Sequence, residues 1–293
     1  MNLIEALGRG THPLHALRKS SLFRGVTRKF DPIIRWRSPL LARRIYLRLV
    51  SNASLIVDPK RQEDSVRQTL IAILAALPRS AGGVFWDIGA NIGLYTWYCA
   101  QTRPDFHIVS FEPDKKNLEC LRRTTASWGL TAHEIAPCAV AEETGRTTFF
   151  IDEISRATGT LEPAAGTFNA FHYGFLPRGM EVETVSLDHL IAEGRARPLV
   201  IKIDVEGAEL RVLQGGRALF AEHRPILLLE ISGDRPRTLA FLEELGYDCF
   251  DSDRREHVTQ NKTVNVLALG RDLGSPVVDA LAGLGYPIAH HRP

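Results

Sequence analysis

The stretch VFWDIGANIGLYTWYCA, residues 84–100, joins an apolar run to an acidic residue, a glycine-containing turn and the start of a helical pattern. A strand, turn and helix in this order cradle cofactors in doubly wound α/β sheets. The common dinucleotide fingerprint is GxGxxG with an acidic residue about twenty positions later. Here the turn reads D-x-G-x-N-x-G, with Asp87, Gly89, Ala90, Asn91 and Gly93. Asn91 stands where a second glycine would let a pyrophosphate approach the helix, and Asp87 places negative charge where a phosphate would lie. Both features suit a ligand without pyrophosphate and with a cationic group.

Working outward, Glu112 ends the next strand-like run, SFEP, 19 residues past Gly93. A carboxylate at that position can accept from ribose hydroxyls, and it rejects a 2′-phosphate. A ribose, no phosphate and a cationic tail are the three requirements, and S-adenosylmethionine meets all of them. Thr96, one turn into the helix, reads as packing or as a further cofactor contact.

Beyond this turn, strand and helix patterns alternate. GVFWDI, HIVSFEP, TAHEIAPCAV, PLVIKIDVEG, RPILLLEIS, YDCFDSD and TVNVLALG read as strands, and DKKNLECLRRTTASWG and RPRTLAFLEELG as helices. GRTTFFID is a further strand whose pairing stays open. Continuously apolar strands alternating with helices imply a parallel sheet buried on both faces, with ligands at the carboxyl ends of the strands. Residues 153–180 are rich in Gly, Pro, Ala and Thr without periodicity and read as an inserted loop within a domain spanning 81–293. DSVRQTLIAILAALPRS (64–80) is a helix, and residues 1–80 read as a helical, basic N-terminal extension. Its best helix is SPLLARRIYLRLVSN, capped by Ser38.

FWDIGANIGLYTWYCA, VSFEPDKKNLECL, VSLDHL, IKIDVEGAELRVLQGG and PILLLEIS together resemble the FkbM-type methyltransferase family over roughly residues 80–270. The resemblance implies a class I, Rossmann-like α/β fold: a doubly wound, mostly parallel seven-stranded sheet with an antiparallel last strand. It also implies S-adenosyl-L-methionine as cofactor, and the usual layout of that fold nominates Cys138, Ala139 and Val140, at the end of the third strand, as a mostly apolar wall for the adenine. Acceptors of the family include sugar hydroxyls in glycans and hydroxyls on natural products.

A second group of acids falls at neighbouring strand ends. Asp204 follows a buried strand in IKIDVEGAE, with Lys202 on the same strand face. Glu230 ends ILLLE, where an ionised acid is costly unless it is paired, hydrogen-bonded or protonated. Glu206 and Glu209 either cap the following helix or join this group. Asp204, Glu230 and Glu206 can bind a substrate's hydroxyls, act as general base or chelate a divalent ion, the last being the least favoured. His172, in FNAFHYGF within the inserted loop, is a further candidate base, with Phe168, Phe171, Tyr173 and Phe175 placed to stack on sugar rings. His107, His133 and His189 fall on regular elements and read as structural.

The chain has 293 residues, a net charge of +2 and four widely spaced cysteines without metal-ligand rhythm. Residues 1–50 carry eleven Lys or Arg against Glu5 and Asp31, so the remainder is mildly acidic. That arm either packs on the body or touches anionic lipid or a polyanionic substrate. No nucleic-acid motif accompanies it, and oligomeric state stays open. Without an apolar run of ~18 residues or a cleavable leader, a cytoplasmic protein, peripheral to membrane at most, is expected. The leading expectation is O-methyl transfer to a glycan or natural-product hydroxyl. The rivals are a peptide or amide N-methyltransferase, an inactive binding module of the same fold and a nicotinamide dehydrogenase.

Overall fold

The computed structural model describes residues 30–58, 64–79, 82–151, 159–161, 178–258, 263–270 and 273–288. Its first elements are strands β1 (Ile33–Trp36) and β2 (Ile45–Arg48), which pair antiparallel. This corrects the expected helix across residues 38–52. Ile45 and Leu47 are buried while Tyr46 and Arg48 are half-buried, a period of two rather than 3.6. Ser38 does cap, but only a turn, accepting from the Leu40 amide at 3.1 Å. Partners on the body decide the outcome. Arg48 donates to the Asp31 carbonyl and the Glu119 carboxylate, and Arg43 donates to the Trp128 carbonyl and lies over that indole ring. Over these residues the arm packs on the body, as one of the two readings expected.

Helices α1 (Ala53–Val57) and α2 (Asp64–Ala76) follow. The buried Arg103 donates to the carbonyls of Leu74, Leu77 and Pro78, satisfying groups that the end of α2 leaves without helical partners. Strand and helix then alternate as β3 (Gly83–Ile88), α3 (Leu94–Thr102), β4 (Phe106–Phe111), α4 (Lys115–Trp128) and β5 (His133–Ala136). The third strand expected across 131–140 breaks at Pro137, which has no amide to donate to a ladder. The next strands, β6 (Ala139–Val140), β7 (Gly145–Ile151), β8 (Gly159–Thr160) and β9 (Arg178–Val185), form a separate four-stranded sheet in the order β6-β9-β7-β8. That settles the pairing of GRTTFFID, which lies antiparallel to β9.

The chain returns through α5 (Leu187–Ala192), β10 (Val200–Ile203), α6 (Glu209–Gln214), α7 (Arg217–His223), β11 (Ile226–Glu230), α8 (Arg235–Glu244), β12 (Asp248–Asp251), β13 (Glu256–His257), β14 (Asn265–Leu269) and α9 (Ser275–Gly283). The central sheet runs β13-β12-β14-β11-β10-β3-β4-β5. Its strands from β11 to β5 are parallel, and β14 is antiparallel to both neighbours. The sheet has eight strands rather than seven because the two-residue β13 folds back on β12.

Successive residues of β3 face opposite layers: Phe85 packs with Leu70, Trp97 and Phe106, and Trp86 with Val109, Phe111 and Ile201. Two apolar layers explain why these strands read as unbroken hydrophobic runs. From β3 the chain passes to β4 on one side, while β10 pairs on the other. That reversal of strand order opens a crevice at the carboxyl ends of β3 and β10. Among the described residues, no helix is long and apolar enough to cross a membrane.

Candidate active site

The turn after β3 is shaped by its neighbours. Gly89 has φ 77°, and a Cβ there would lie 1.8 Å from the Asp204 carbonyl oxygen. At Gly93, with φ 87°, a Cβ would lie 2.6 Å from Leu121 and 2.8 Å from Trp97. Both positions therefore need glycine without reference to any ligand. The amides of Gly89 and Ala90 donate to the Phe111 carbonyl, each at 3.0 Å. Asn91 takes a left-handed φ of 52°, which Asn tolerates better than most residues. Its Oδ1 is buried and has no hydrogen-bond partner among the described residues. An orphaned buried acceptor costs about 1–3 kcal/mol, so this oxygen calls for a donor that the described residues do not supply.

Glu112 is 5% exposed and braces the same turn. Its Oε2 accepts from the Asn91 amide at 2.8 Å, and its Oε1 from the Asp114 amide at 2.8 Å and Asn117 Nδ2 at 3.4 Å. A carboxylate offers about four acceptor sites, so Oε2 keeps one for a hydroxyl. Burial, opposed by those hydrogen bonds, pushes the Glu112 carboxyl up to about 7. Asp87 is buried too, and its Oδ2 accepts from the Thr96 amide at 2.9 Å and the Thr96 hydroxyl at 2.6 Å. Burial raises the Asp87 carboxyl above its ordinary range, against the pull of Lys202.

At the end of β10, Lys202 Nζ lies 3.8 Å from Asp204 Oδ2 and 4.9 Å from the centre of the Tyr95 ring. Burial and the facing Glu230 raise the Asp204 carboxyl well above the carboxylate range, and Lys202 opposes them. Glu206 and Glu209 separate in role. Glu209 is fully buried and accepts from the Gly207 amide, the Ser232 hydroxyl and the Gly233 amide, tying the loop to the end of β11. Glu206 precedes the helix instead of standing in its first turn. Its left-handed φ of 51° is unusual for a residue with a side chain and sets it at the rim of the crevice.

The crevice has two lobes that share Gly89, Asn91, Asp204 and Glu206. The first encloses about 620 Å³ with its open mouth, between Glu112 and an apolar wall of Phe111, Ala139, Val140, Phe149 and Leu161. The second, about 1150 Å³ with its mouth, is bounded by Asp87, Ala90, Tyr95, Tyr98, Glu230 and residues from the N-terminal part of the chain.

The family model described as the methyltransferase FkbM domain matches residues 87–249. The chain belongs to the FkbM methyltransferase family. A hexuronic acid methyltransferase, AglP, of Haloferax volcanii is 27% identical over 188 residues, covering 61% of this chain and 69% of that protein. Methyltransferase sdnD of Sordaria araneosa is 29% identical, covering 58% and 75%. The 31-O-demethyl-FK506 methyltransferase FkbM of Streptomyces tacrolimicus is 32% identical, covering 46% of this chain and 59% of its own length.

Most of the residues expected at the site converge in this family member. Asp87, Gly89, Ala90, Asn91, Glu112, Ala139, Val140, Asp204, Glu206 and Glu230 all line one lobe or both. Gly93, Thr96 and Cys138 line neither. Gly93 is spent on packing, Thr96 is wholly buried behind Asp87, and Cys138 precedes the strand that supplies the wall. His172 and its aromatic neighbours lie outside the described residues. Sequence reasoning missed Phe149 and Leu161 in the first lobe, and Ser51, Asn52, Ser54, Leu55 and Arg67 in the second. Those five precede the segment matched by the family model, and no motif marks them. Among the described residues, no group of three or more His, Cys, Asp or Glu is arranged to hold a metal ion.

Proposed function

We propose that this chain transfers a methyl group from S-adenosyl-L-methionine to a hydroxyl of a sugar, glycan or natural product. The observation that carries the reading is the pair of lobes meeting at Asn91 and Asp204. The residues present suit the cofactor: Glu112 has an acceptor site for a ribose hydroxyl, the wall from Phe111 to Leu161 is apolar enough for adenine, and Asn91 Oδ1 awaits a donor. Carboxylates at the junction favour a cation. Bound there, S-adenosylmethionine supplies a methyl carbon already activated by its sulfonium.

The remaining work falls to the chain, and most of it is positioning. The acceptor hydroxyl lies in the second lobe, where the Tyr95 and Tyr98 rings can meet the apolar face of a sugar and Glu206 and Glu230 accept from its hydroxyls. Asp204 would accept the proton that the acceptor hydroxyl gives up on methylation. A carboxyl raised towards neutrality is a better-matched base than an ordinary one. Four acids against Arg67 on the lining favour a hydroxyl-rich acceptor without negative charge at its reacting end. A cytoplasmic protein accords with this reading.

Calorimetric titration is the first test: S-adenosylhomocysteine binds and NAD does not. The second is release of S-adenosylhomocysteine against a panel of hexoses, uronic acids, glycans and macrolide alcohols, with the methylated product found by mass spectrometry. Binding of NAD alone overturns the proposal, as does methylation confined to amines or amides.

A further inference from the structure

Asp87 is the inner end of a row of hydrogen bonds that leaves the crevice through the sheet. Its Oδ2 lies 2.6 Å from Thr96 Oγ1, which lies 2.6 Å from Ser110 Oγ. Ser110 Oγ is 2.9 Å from His133 Nε2, and His133 Nδ1 is 2.8 Å from Thr125 Oγ1. Thr125 Oγ1 ends the row 2.9 Å from the Leu121 carbonyl. Asp87 and Ser110 are register partners on β3 and β4, so the pleat itself aligns the inner members. Asp87, Thr96 and Ser110 are buried, while His133 is half-buried at the outer strand.

Counting hydrogens constrains this row. Each of its five contacts needs one proton, three hydroxyls bring three, and a neutral imidazole brings a fourth. With Asp87 ionised, Thr96 donates to Asp87, Ser110 to Thr96, His133 Nε2–H to Ser110 and Thr125 to His133 Nδ1. The Leu121 carbonyl then receives nothing from Thr125. One added proton fills every contact in the opposite sense. Asp87 donates to Thr96, Thr96 to Ser110, Ser110 to His133 Nε2, His133 Nδ1–H to Thr125, and Thr125 to Leu121.

We propose that Thr125, His133, Ser110 and Thr96 form a proton relay that sets the charge of Asp87 from the outer edge of the sheet. A proton arriving at His133 Nδ1 displaces the Nε2 proton to Ser110. The Ser110 proton moves to Thr96, and the Thr96 proton to Asp87. Every inner atom loses one proton and gains one, so a single charge changes, on Asp87. His133, Ser110 and Thr125 are positioning residues that act through this row.

Burial disfavours the added proton as an imidazolium and favours it on Asp87. Burial pushes His133 down to about 4, with His107 on β4 adding to the fall and Glu134 on its own strand opposing it. The Trp97 ring meets the imidazole edge-on from α3. Asp87 is raised by burial, faces Lys202 from β10, which opposes the rise, and also lies near the Cys99 thiol and Asp204. For the cofactor, the consequence rests on the reading above: an ionised Asp87 favours sulfonium over the neutral thioether.

The test is nitrogen-15 spectroscopy of the histidines in the ligand-free full chain as pH is lowered. The expected result is an exchange of character: Nε2 begins protonated and Nδ1 bare, then Nδ1 becomes protonated and Nε2 bare, with the ring neutral throughout. Ser110→Ala abolishes the exchange, and Thr125→Val moves it to lower pH by removing the acceptor for Nδ1–H. A wild-type ring that passes straight to imidazolium or keeps one tautomer overturns the relay, as does an exchange that survives Ser110→Ala. In parallel, the preference for S-adenosylmethionine over S-adenosylhomocysteine falls several-fold across the same pH range. A preference that stays level while the tautomers exchange leaves the relay standing and defeats the cofactor reading instead.

Discussion

The two lobes of the crevice are built by different parts of the chain. Every lining residue of the first falls within the matched segment, from Gly89 to Glu206. The second takes Ser51, Asn52, Ser54, Leu55 and Arg67 from the part that precedes it. In the first, Glu112 is held by the Asn91 and Asp114 amides, and Asp114 accepts from the Lys116 amide as the cap of α4. In the second, Arg67 pairs with Asp64 and stacks on Tyr98, so side chains of two separate elements set its width. The proposed function needs this division: the first lobe, fixed by the sheet, would take the shared cofactor, and the second, fixed by packing of a less constrained segment, would select the acceptor.

The largest expected effect lies at the junction. Asp204→Asn lowers methyl transfer by about 10²- to 10⁴-fold, the usual range for a lost general base. The affinity for S-adenosylhomocysteine stays within about 3-fold, since Asn keeps the shape and the methyl donor needs no proton removed. Turnover on the acceptor panel and calorimetry on the same preparation check this. If both quantities fall together, Asp204 holds the cofactor and the division between lobes fails at its centre.

Next in size is Glu112→Gln, which acts on the first lobe alone. Losing a charged acceptor for the ribose weakens S-adenosylhomocysteine binding by about 10- to 100-fold, or roughly 1.5–3 kcal/mol. Stability moves the other way. Glu112 is raised in the fold to about 7 from 4.5, so the native state holds its proton more tightly than the unfolded chain. Stability linked to this group is present below about pH 4.5 and is lost as pH rises towards 7. Asp87 and Asp204 are raised as well and act with the same sign. Thermal melts from pH 4.5 to 8 show a falling midpoint in the wild type and a shallower fall in Glu112→Gln. The variant is the more stable protein at pH 8, by roughly 1–2 kcal/mol. A wild-type midpoint that rises over this range contradicts the buried, raised carboxyls.

The same division explains what could be read from the sequence. β3, β10 and β11 are legible because a parallel strand covered on both faces must be apolar throughout, and an acid at its end then stands out, as Asp87, Asp204 and Glu230 do. Glu112 is legible by its distance from the turn. The wall residues Phe149, on β7, and Leu161, just past β8, are not, because they depend on the second sheet, whose pairing no local pattern fixes. SPLLARRIYLRLVSN misleads because apolar residues interleaved with arginines satisfy a helical and a strand period at once. What tips it is Arg43 and Arg48 finding partners on α4 and near Asp31, contacts invisible until the chain has folded. The glycines at 89 and 93 are legible as a turn, but what demands them is the Asp204 carbonyl after β10 and the side chains of Leu121 and Trp97, which leave no room for a Cβ.

The smallest expected effect tests the second lobe. Ser54 lines it, and no motif or family position calls for a serine there. Ser54→Leu adds apolar bulk to a wall that the first lobe does not share, so S-adenosylhomocysteine affinity stays within about 2-fold of wild type. The acceptor profile changes instead, with KM for the best acceptor of the panel rising about 3- to 10-fold, or roughly 0.7–1.4 kcal/mol, while kcat falls less. A narrower lobe penalises bulky glycans more than monosaccharides, so the rank order of the panel shifts towards small acceptors. An unchanged order with a weakened cofactor would mean that the N-terminal wall closes over the nucleoside. The two lobes would then be a single site, recognised as one.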